Sequence, residues 1–160
     1  MVSPNIRNLE EADLPAILNL KKAYELELGW KPPDGYFDEF LKILQGIRKG
    51  DPGLIKVAVV KDKIVGYCIS VSNLHCYDGV VLDITMDSAY IWELFVLREY
   101  RGKGIGRRIL EETLKHLESI GKRNVFLIVN YWNDRGRKFF EKMGFRFWGY
   151  FLIKRLVQNE

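Results

Sequence analysis

The chain has 160 residues, 48% of them hydrophobic and 29% charged, with a formal net charge of +4. That length and composition suit one folded domain, residues 1–160, with a real core, and they exclude a disordered or fibrous chain. Cations and anions are interspersed and no long basic or long apolar run occurs, so neither a nucleic-acid nor a membrane partner is expected.

Taken in order, residues 6–9 form a short strand candidate. Asp13 stands where it can cap a following helix, with Pro15 in the first turn. Leu14, Ile17, Leu18 and Leu20 begin an apolar face running to Leu28. Gly29, Pro32, Pro33 and Gly35 break that helix. A second helix is predicted over 36–48, where Phe37, Phe40, Leu41 and Leu44 recur at helical spacing. Residues 54–60 and 64–74 read as two strands joined by a tight turn at Lys61-Asp62-Lys63, hence an antiparallel hairpin. The stretch 75–88 fits either a strand or a packed loop.

Residues 90–96 are rich in aromatic and apolar side chains and predict a strand. A glycine-rich turn over 101–106 follows, then a helix to about Ile120, stopped by Gly121. Residues 125–129 predict a buried strand. Asn133 or Asp134 caps a helix reaching Met143, which Gly144 ends. Two last strands are expected at 145–148 and 150–156. The order implies an α/β (α+β) fold: a mixed, mostly antiparallel sheet of six or seven strands with helices on both faces. The strands at 90–96 and 125–129 should be parallel neighbours joined by a right-handed crossover.

Cys68 and Cys76 are the only cysteines and read as reduced thiols. His75 beside Cys76 lacks two further ligands at sensible spacing, so no metal is expected. The polar start of the chain has no apolar signal-peptide core, which points to a cytoplasmic location.

The chemistry lies at the glycine turn. A strand, a glycine turn and a helix in succession present backbone N–H groups at the positive end of a helix, which is an anion site. Arg101, Lys103 and Arg107 add cations. A mononucleotide loop fails, because Gly102-Lys103 is followed by Gly104 and not by Ser or Thr. A dinucleotide fingerprint fails too: counted from Gly102 or Gly104, its third glycine falls on Arg107 or Ile109.

Leu94-x-Val96 followed by Arg101-x-x-Gly104-x-Gly106 resembles the acetyl-coenzyme A loop of the GCN5-related N-acetyltransferase (GNAT) family. Asn133-x-x-Gly136-x-x-x-Phe140-Glu-Lys-Met-Gly144-Phe145 resembles that family's second signature. The resemblance covers roughly residues 55–148. It implies that acetyl-coenzyme A is the cosubstrate and that the backbone of Arg101, Gly102, Lys103, Gly104, Ile105, Gly106 and Arg107 holds its pyrophosphate. It also implies that the backbone of Phe95, Val96 and Leu97 pairs with the pantetheine arm. An N–H near Val96 would meet the acetyl carbonyl, on a strand that is bulged and splays from its neighbour. Asn133 and Gly136 take the positions that contact the arm, with Gly136 where the family usually has Ala, and Phe139 or Phe140 lies against it.

The implied reaction is direct attack by a primary amine on the thioester. Glu93 is the general-base candidate, with a solvent-facing or Arg-paired role as the alternative. Phe140 stands where many members have a tyrosine that protonates the thiolate; Tyr131, Tyr90 or water are the substitutes. Asp83, Asp87 and Glu25 could attract a cationic amine, but as single charges they read as solvated surface. The acceptor is expected between 29–36 and 90–93, where Tyr24, Trp30 and Tyr36 suit either a wall or ordinary packing. A small amine, a protein N-terminus and a lysine side chain are all open as acceptors, and so is a homodimer. The alternative function is an acyl-coenzyme A binding or sensing domain of the same fold without turnover.

Overall fold

The computed structural model describes residues 3–50, 52–72 and 87–149. His75, Cys76, Asp83 and the expected strand at 150–156 lie outside them, as do the last two residues of the strand expected at 64–74. The chain divides into two compact units, Met1–Ile128 and Val129–Glu160.

The first unit holds β1 (Asn5–Asn8), α1 (Leu14–Leu28), α2 (Tyr36–Lys49), β2 (Gly53–Val60), β3 (Lys63–Ser72), β4 (Ser88–Val96), α3 (Ile105–Ser119) and β5 (Asn124–Leu127). Its strands form one sheet in the order β1-β2-β3-β4-β5. The first three pairings are antiparallel, and β4 with β5 is parallel, as the crossover argument requires. Lys61 and Asp62 take left-handed φ values of 47° and 63°. That two-residue turn has the twist a hairpin needs.

Alternation along the strands separates two apolar layers. Ile55, Val57, Tyr67, Ile69, Val71 and Phe95 pack with Ile17 and Leu20 of α1 and with Phe40, Leu44 and Ile47 of α2. Side chains of the opposite parity meet α3, which buries Ile105, Ile109, Leu110, Thr113 and Leu117. Cys68 is a free, buried thiol hydrogen-bonded to Thr113, and burial pushes its pKa up to about 12. Helices therefore cover both faces. Gly66 lets this layer close: a Cβ there would meet the Phe95 carbonyl oxygen at 2.7 Å and Ile109 Cδ1 at 3.2 Å.

Two local expectations are corrected. Asp13 does not cap α1. Its carboxylate accepts two bonds from Arg7, at 2.6 and 2.9 Å, and one from the Glu10 amide at 2.7 Å. A short 3-10 turn, Glu11–Asp13, precedes α1, and the arginine on β1 outcompetes the helix amides for the carboxylate. The sheet also has five strands among the described residues, where six or seven were expected.

In the second unit, α4 (Asp134–Lys142) is capped by Asn133, whose Oδ1 accepts from the Gly136 amide at 2.9 Å. Gly144, at φ 90°, closes the helix, and the Phe145 amide returns to the Phe140 carbonyl at 3.0 Å. Residues 145–148 are not a strand. The Phe145 amide is taken by the helix cap.

Candidate active site

The end of β4 is distorted in a way that decides where its side chains go. Ile69 pairs with Glu93 while Ser70 pairs with Ile91, so Trp92 is an extra residue in the ladder. Such a bulge breaks strict alternation. Cross-strand partners share a face, which puts Tyr90 (opposite Val71), Glu93 (opposite Ile69) and Phe95 (opposite Tyr67) all on the α1–α2 side. Trp92 joins them, 5.8 Å from the Phe40 ring. Unbroken alternation from Tyr90 would have turned Glu93 toward α3.

The bulge coincides with the place where β5 leaves. β4 is paired with β5 only from Ser88 to Ile91. The Leu97 amide donates to the Val65 carbonyl of β3 at 2.9 Å. Successive strand amides point to opposite edges, so the Val96 amide faces the edge that β5 has left. Phe95 and Val96 are buried and Leu97 is half-buried. Phe95 lies between the rings of Tyr24, at 5.4 Å, and Tyr67, at 6.1 Å.

The chain then passes through a 3-10 turn, Arg98–Tyr100, into the glycine turn. Gly102 and Gly104 have φ of 75° and 79°, and a Cβ on either would meet no protein atom within 4 Å. Glycine is needed here for the left-handed backbone and for the open space beside it, which a bound phosphate would fill. Among the described residues no backbone acceptor faces the amides of residues 102–107. These are the free donors of the α3 N-terminus, and they follow in the chain on the part of β4 that β5 does not pair. The donor set fits a pyrophosphate.

The cations of the turn have partners within the protein. Arg101 Nε donates to the Val96 carbonyl at 2.7 Å, and its guanidinium forks onto Glu27 of α1 at 2.5 and 2.7 Å while lying over the Phe95 ring. Lys103 donates to the Glu99 carbonyl at 2.8 Å and Arg107 pairs with Glu111 at 2.8 Å. Arg101 thus ties α1, β4 and the turn together.

Glu93 is not on the surface: it is 9% exposed. Its carboxylate accepts from Lys21 of α1 and from the Tyr67 hydroxyl of β3. The Lys21 ammonium, 2% exposed, also contacts Glu25 at 2.7 Å. Tyr36 of α2 donates to the same Glu25 at 2.8 Å. Glu25 is therefore buried and paired, and its reading as a surface charge is corrected. Burial lifts the Glu93 carboxyl above the usual carboxylate range, against the pull of Lys21 and of the Tyr67 hydroxyl. Burial alone would lower Lys21, but Glu93 and Glu25 outweigh it and hold its pKa above the ordinary lysine value. Burial, reinforced by Glu93, pushes Tyr67 well up, and burial takes Tyr36 to about 12.

Lys21 and Tyr67 were missed as site residues. Lys21 sits four residues after Ile17, on the core face of α1, and a lysine at an apolar helix position was the signal available. Trp30 stacks edge-on to Tyr36 at 5.0 Å and is half open to solvent, next to this cluster. Asp87 pairs with Arg123 at 2.5 Å. In the second unit, Asn133 and Gly136 meet in the α4 cap, and Phe140 packs between Phe139, at 5.1 Å, and Phe145, at 5.6 Å. Tyr131 is almost fully exposed and Tyr90 is half-buried. Among the described residues no group of His, Cys, Asp and Glu is arranged to hold a metal, and no helix is long and apolar enough to cross a membrane.

A sequence model of the acetyltransferase (GNAT) family matches residues 15–145. The N-alpha-acetyltransferase 30 of Schizosaccharomyces pombe is 28% identical over 89 residues, which is 56% of this chain and 55% of that protein. An uncharacterized N-acetyltransferase of Methanocaldococcus jannaschii is 29% identical over 149 residues, 88% of this chain and 59% of its own length. The chain thus spans somewhat more than half of the curated relatives it matches. Among solved structures, the aminoglycoside N-acetyltransferase AAC(6')-Iy in complex with CoA superposes with a TM-score of 0.77 at 16% identity, over 97% of this chain and 95% of that one. At that identity the likeness is one of fold.

Proposed function

Because the chain belongs to the acetyltransferase (GNAT) family, we infer that it moves an acetyl group from acetyl-coenzyme A to a primary amine by direct attack on the thioester. The observation that carries this is one continuous surface: the β4 edge freed by the Trp92 bulge runs into the open amides of residues 102–107. The amides hold the pyrophosphate, the edge at Phe95, Val96 and Leu97 pairs with the pantetheine arm, and the Val96 N–H donates to the acetyl carbonyl as negative charge develops there. The family match runs across both compact units, which supports reading the 160 residues as one acetyltransferase domain. The cosubstrate supplies a thioester whose thiolate is a fair leaving group. That chemistry tolerates Phe140, which has no proton to give.

Glu93 accepts the proton of the acceptor ammonium, through water, because its own oxygens are already bonded. Its raised carboxyl is closer to the pKa a base needs near neutral pH. The acceptor enters beside Trp30 and Tyr36. The names of relatives described as an aminoglycoside N-acetyltransferase and an N-alpha-acetyltransferase support an amine acceptor, a small molecule or a protein amine. Calorimetric titration with coenzyme A tests the reading. Gly104→Val should abolish binding while the fold survives, because a β-branched residue at φ 79° both strains the turn and fills the phosphate's place. Unchanged affinity, or binding of NAD in preference to coenzyme A, would remove the loop assignment.

A further inference from the structure

Lys21 has almost no solvent around its charge, and neither cofactor binding nor amine entry uses it. Its ammonium touches Glu93 and Glu25 and lies over the rings of Tyr24, Phe40 and Tyr36, at 4.9, 5.2 and 5.6 Å. A buried ion pair adds little net stability over an apolar replacement of similar volume, so folding alone accounts poorly for this lysine.

The charge balance gives it a task. One ammonium against two carboxylates leaves the cluster with one negative charge. An incoming alkylammonium brings the total to zero. When its proton passes through water to Glu93, an N–H bond breaks and an O–H bond forms on the carboxyl. The lone pair left on nitrogen then attacks the thioester carbonyl. Amine and Glu93 are both neutral after the transfer, so the total stays at zero throughout. Without Lys21, Glu93 faces Glu25 in a buried site, and the first proton it meets stays on it.

We propose that Lys21 is a positioning residue for the transfer: by direct ammonium–carboxylate contact it keeps Glu93 ionised and anchored on the α1–α2 side of β4, ready to take the acceptor's proton. The proposal rests on the reading of Glu93 as the base. The groups that set the balance are Lys21, Glu25 and Tyr24 on α1, Tyr36 on α2, acting through Glu25, and Tyr67 on β3. Burial raises all three tyrosines, so they remain neutral, and the charge of Lys21 is the one that answers Glu93.

Two titrations of the same variants test it: the acid limb of kcat/KM, and the carboxyl carbon-13 signal of Glu93 in glutamate-labelled protein, assigned with Glu93→Gln. Lys21→Met should move both upward by about 1–3 pH units, the size of losing an adjacent opposite charge. Glu25→Gln should move both downward, and Lys21→Arg should keep both near the wild-type position. Should Lys21→Met not fold, the downward shift in Glu25→Gln and the retained position in Lys21→Arg carry the test. A purely structural lysine would lower stability or kcat and leave both curves in place, which overturns the proposal. A moved carbon-13 titration with a stationary kinetic limb would overturn the reading of Glu93 as the base, and the proposal falls with it.

Discussion

At the scale of single residues, the hydroxyl of Tyr67 is the second hold on Glu93. It is fully buried and donates to the carboxylate oxygen that Lys21 does not take. Tyr67→Phe removes that donor and leaves the ring in place. The ionised carboxylate loses a hydrogen bond that favours it, so the acid limb of the rate profile should move upward. Stability should fall by about 1–3 kcal/mol, the usual result of leaving a buried acceptor short of a partner. Paired denaturation and pH–rate measurements check this, and a Phe variant with both unchanged would place Glu93 outside the network. Glu93 was legible in the sequence as an acid on the strand before the glycine turn, but its orientation was not. A bulge is a pairing event between strands, and nothing local to Trp92 announces it. Lys21 was hidden for a related reason: only its distant partners, 72 residues away in the case of Glu93, make a lysine acceptable in the core.

At the scale of elements, Gly66 and the Arg7–Asp13 pair carry the tests. Gly66 lets β3 lie against β4 where the Val96 edge is built, with Val96 Cγ2 only 3.0 Å from where a Cβ would stand. Gly66→Ala forces backbone to move, since the nearest atom is the Phe95 carbonyl oxygen. A loss of about 1–3 kcal/mol is expected, together with weaker coenzyme A binding; an unaltered denaturant midpoint would contradict it. Arg7 ties β1 to the start of α1. Its hydrogen bonds hold the Asp13 carboxyl below the usual carboxylate range, against burial. A lowered carboxyl contributes stability above its unfolded pKa and loses it as pH falls through the folded one. Asp13→Asn should therefore be less stable than wild type at neutral pH, with the gap closing on acidification below about pH 4. A gap that stays constant with pH would separate Asp13 from the pair. The sequence foretold most of these elements, because hairpin turn, glycine turn and helix stops are written in neighbouring residues. It misjudged Asp13 and residues 145–148. For Asp13 a competing partner, Arg7, took the carboxylate on which the local pattern relied; at 145–148 the α4 cap took the first amide.

At the scale of the whole molecule, the proposed donor site and the buried Glu93 cluster both follow from one irregularity in β4. The bulge at Trp92 accompanies the departure of β5, which leaves the edge beyond Ile91 unpaired by β5. It also rotates Glu93 toward α1, where Lys21 and Tyr67 receive it. Motifs could name the donor, since the glycine turn and the preceding strand are contiguous. They could not name the acceptor, because the proposed entrance draws on α1, α2 and β4 and no spacing rule joins them. Acetyl transfer is measured by incubating the protein with acetyl-coenzyme A and a panel of small amines, peptide N-termini and lysine peptides, while following free thiol and acetylated product by mass spectrometry. Amine-dependent thiol release matched by acetylated product is expected, abolished in Gly104→Val and slowed in Glu93→Gln mainly at low pH. Tight coenzyme A binding with no thiol released to any amine would contradict it and make the protein an acyl-coenzyme A sensor.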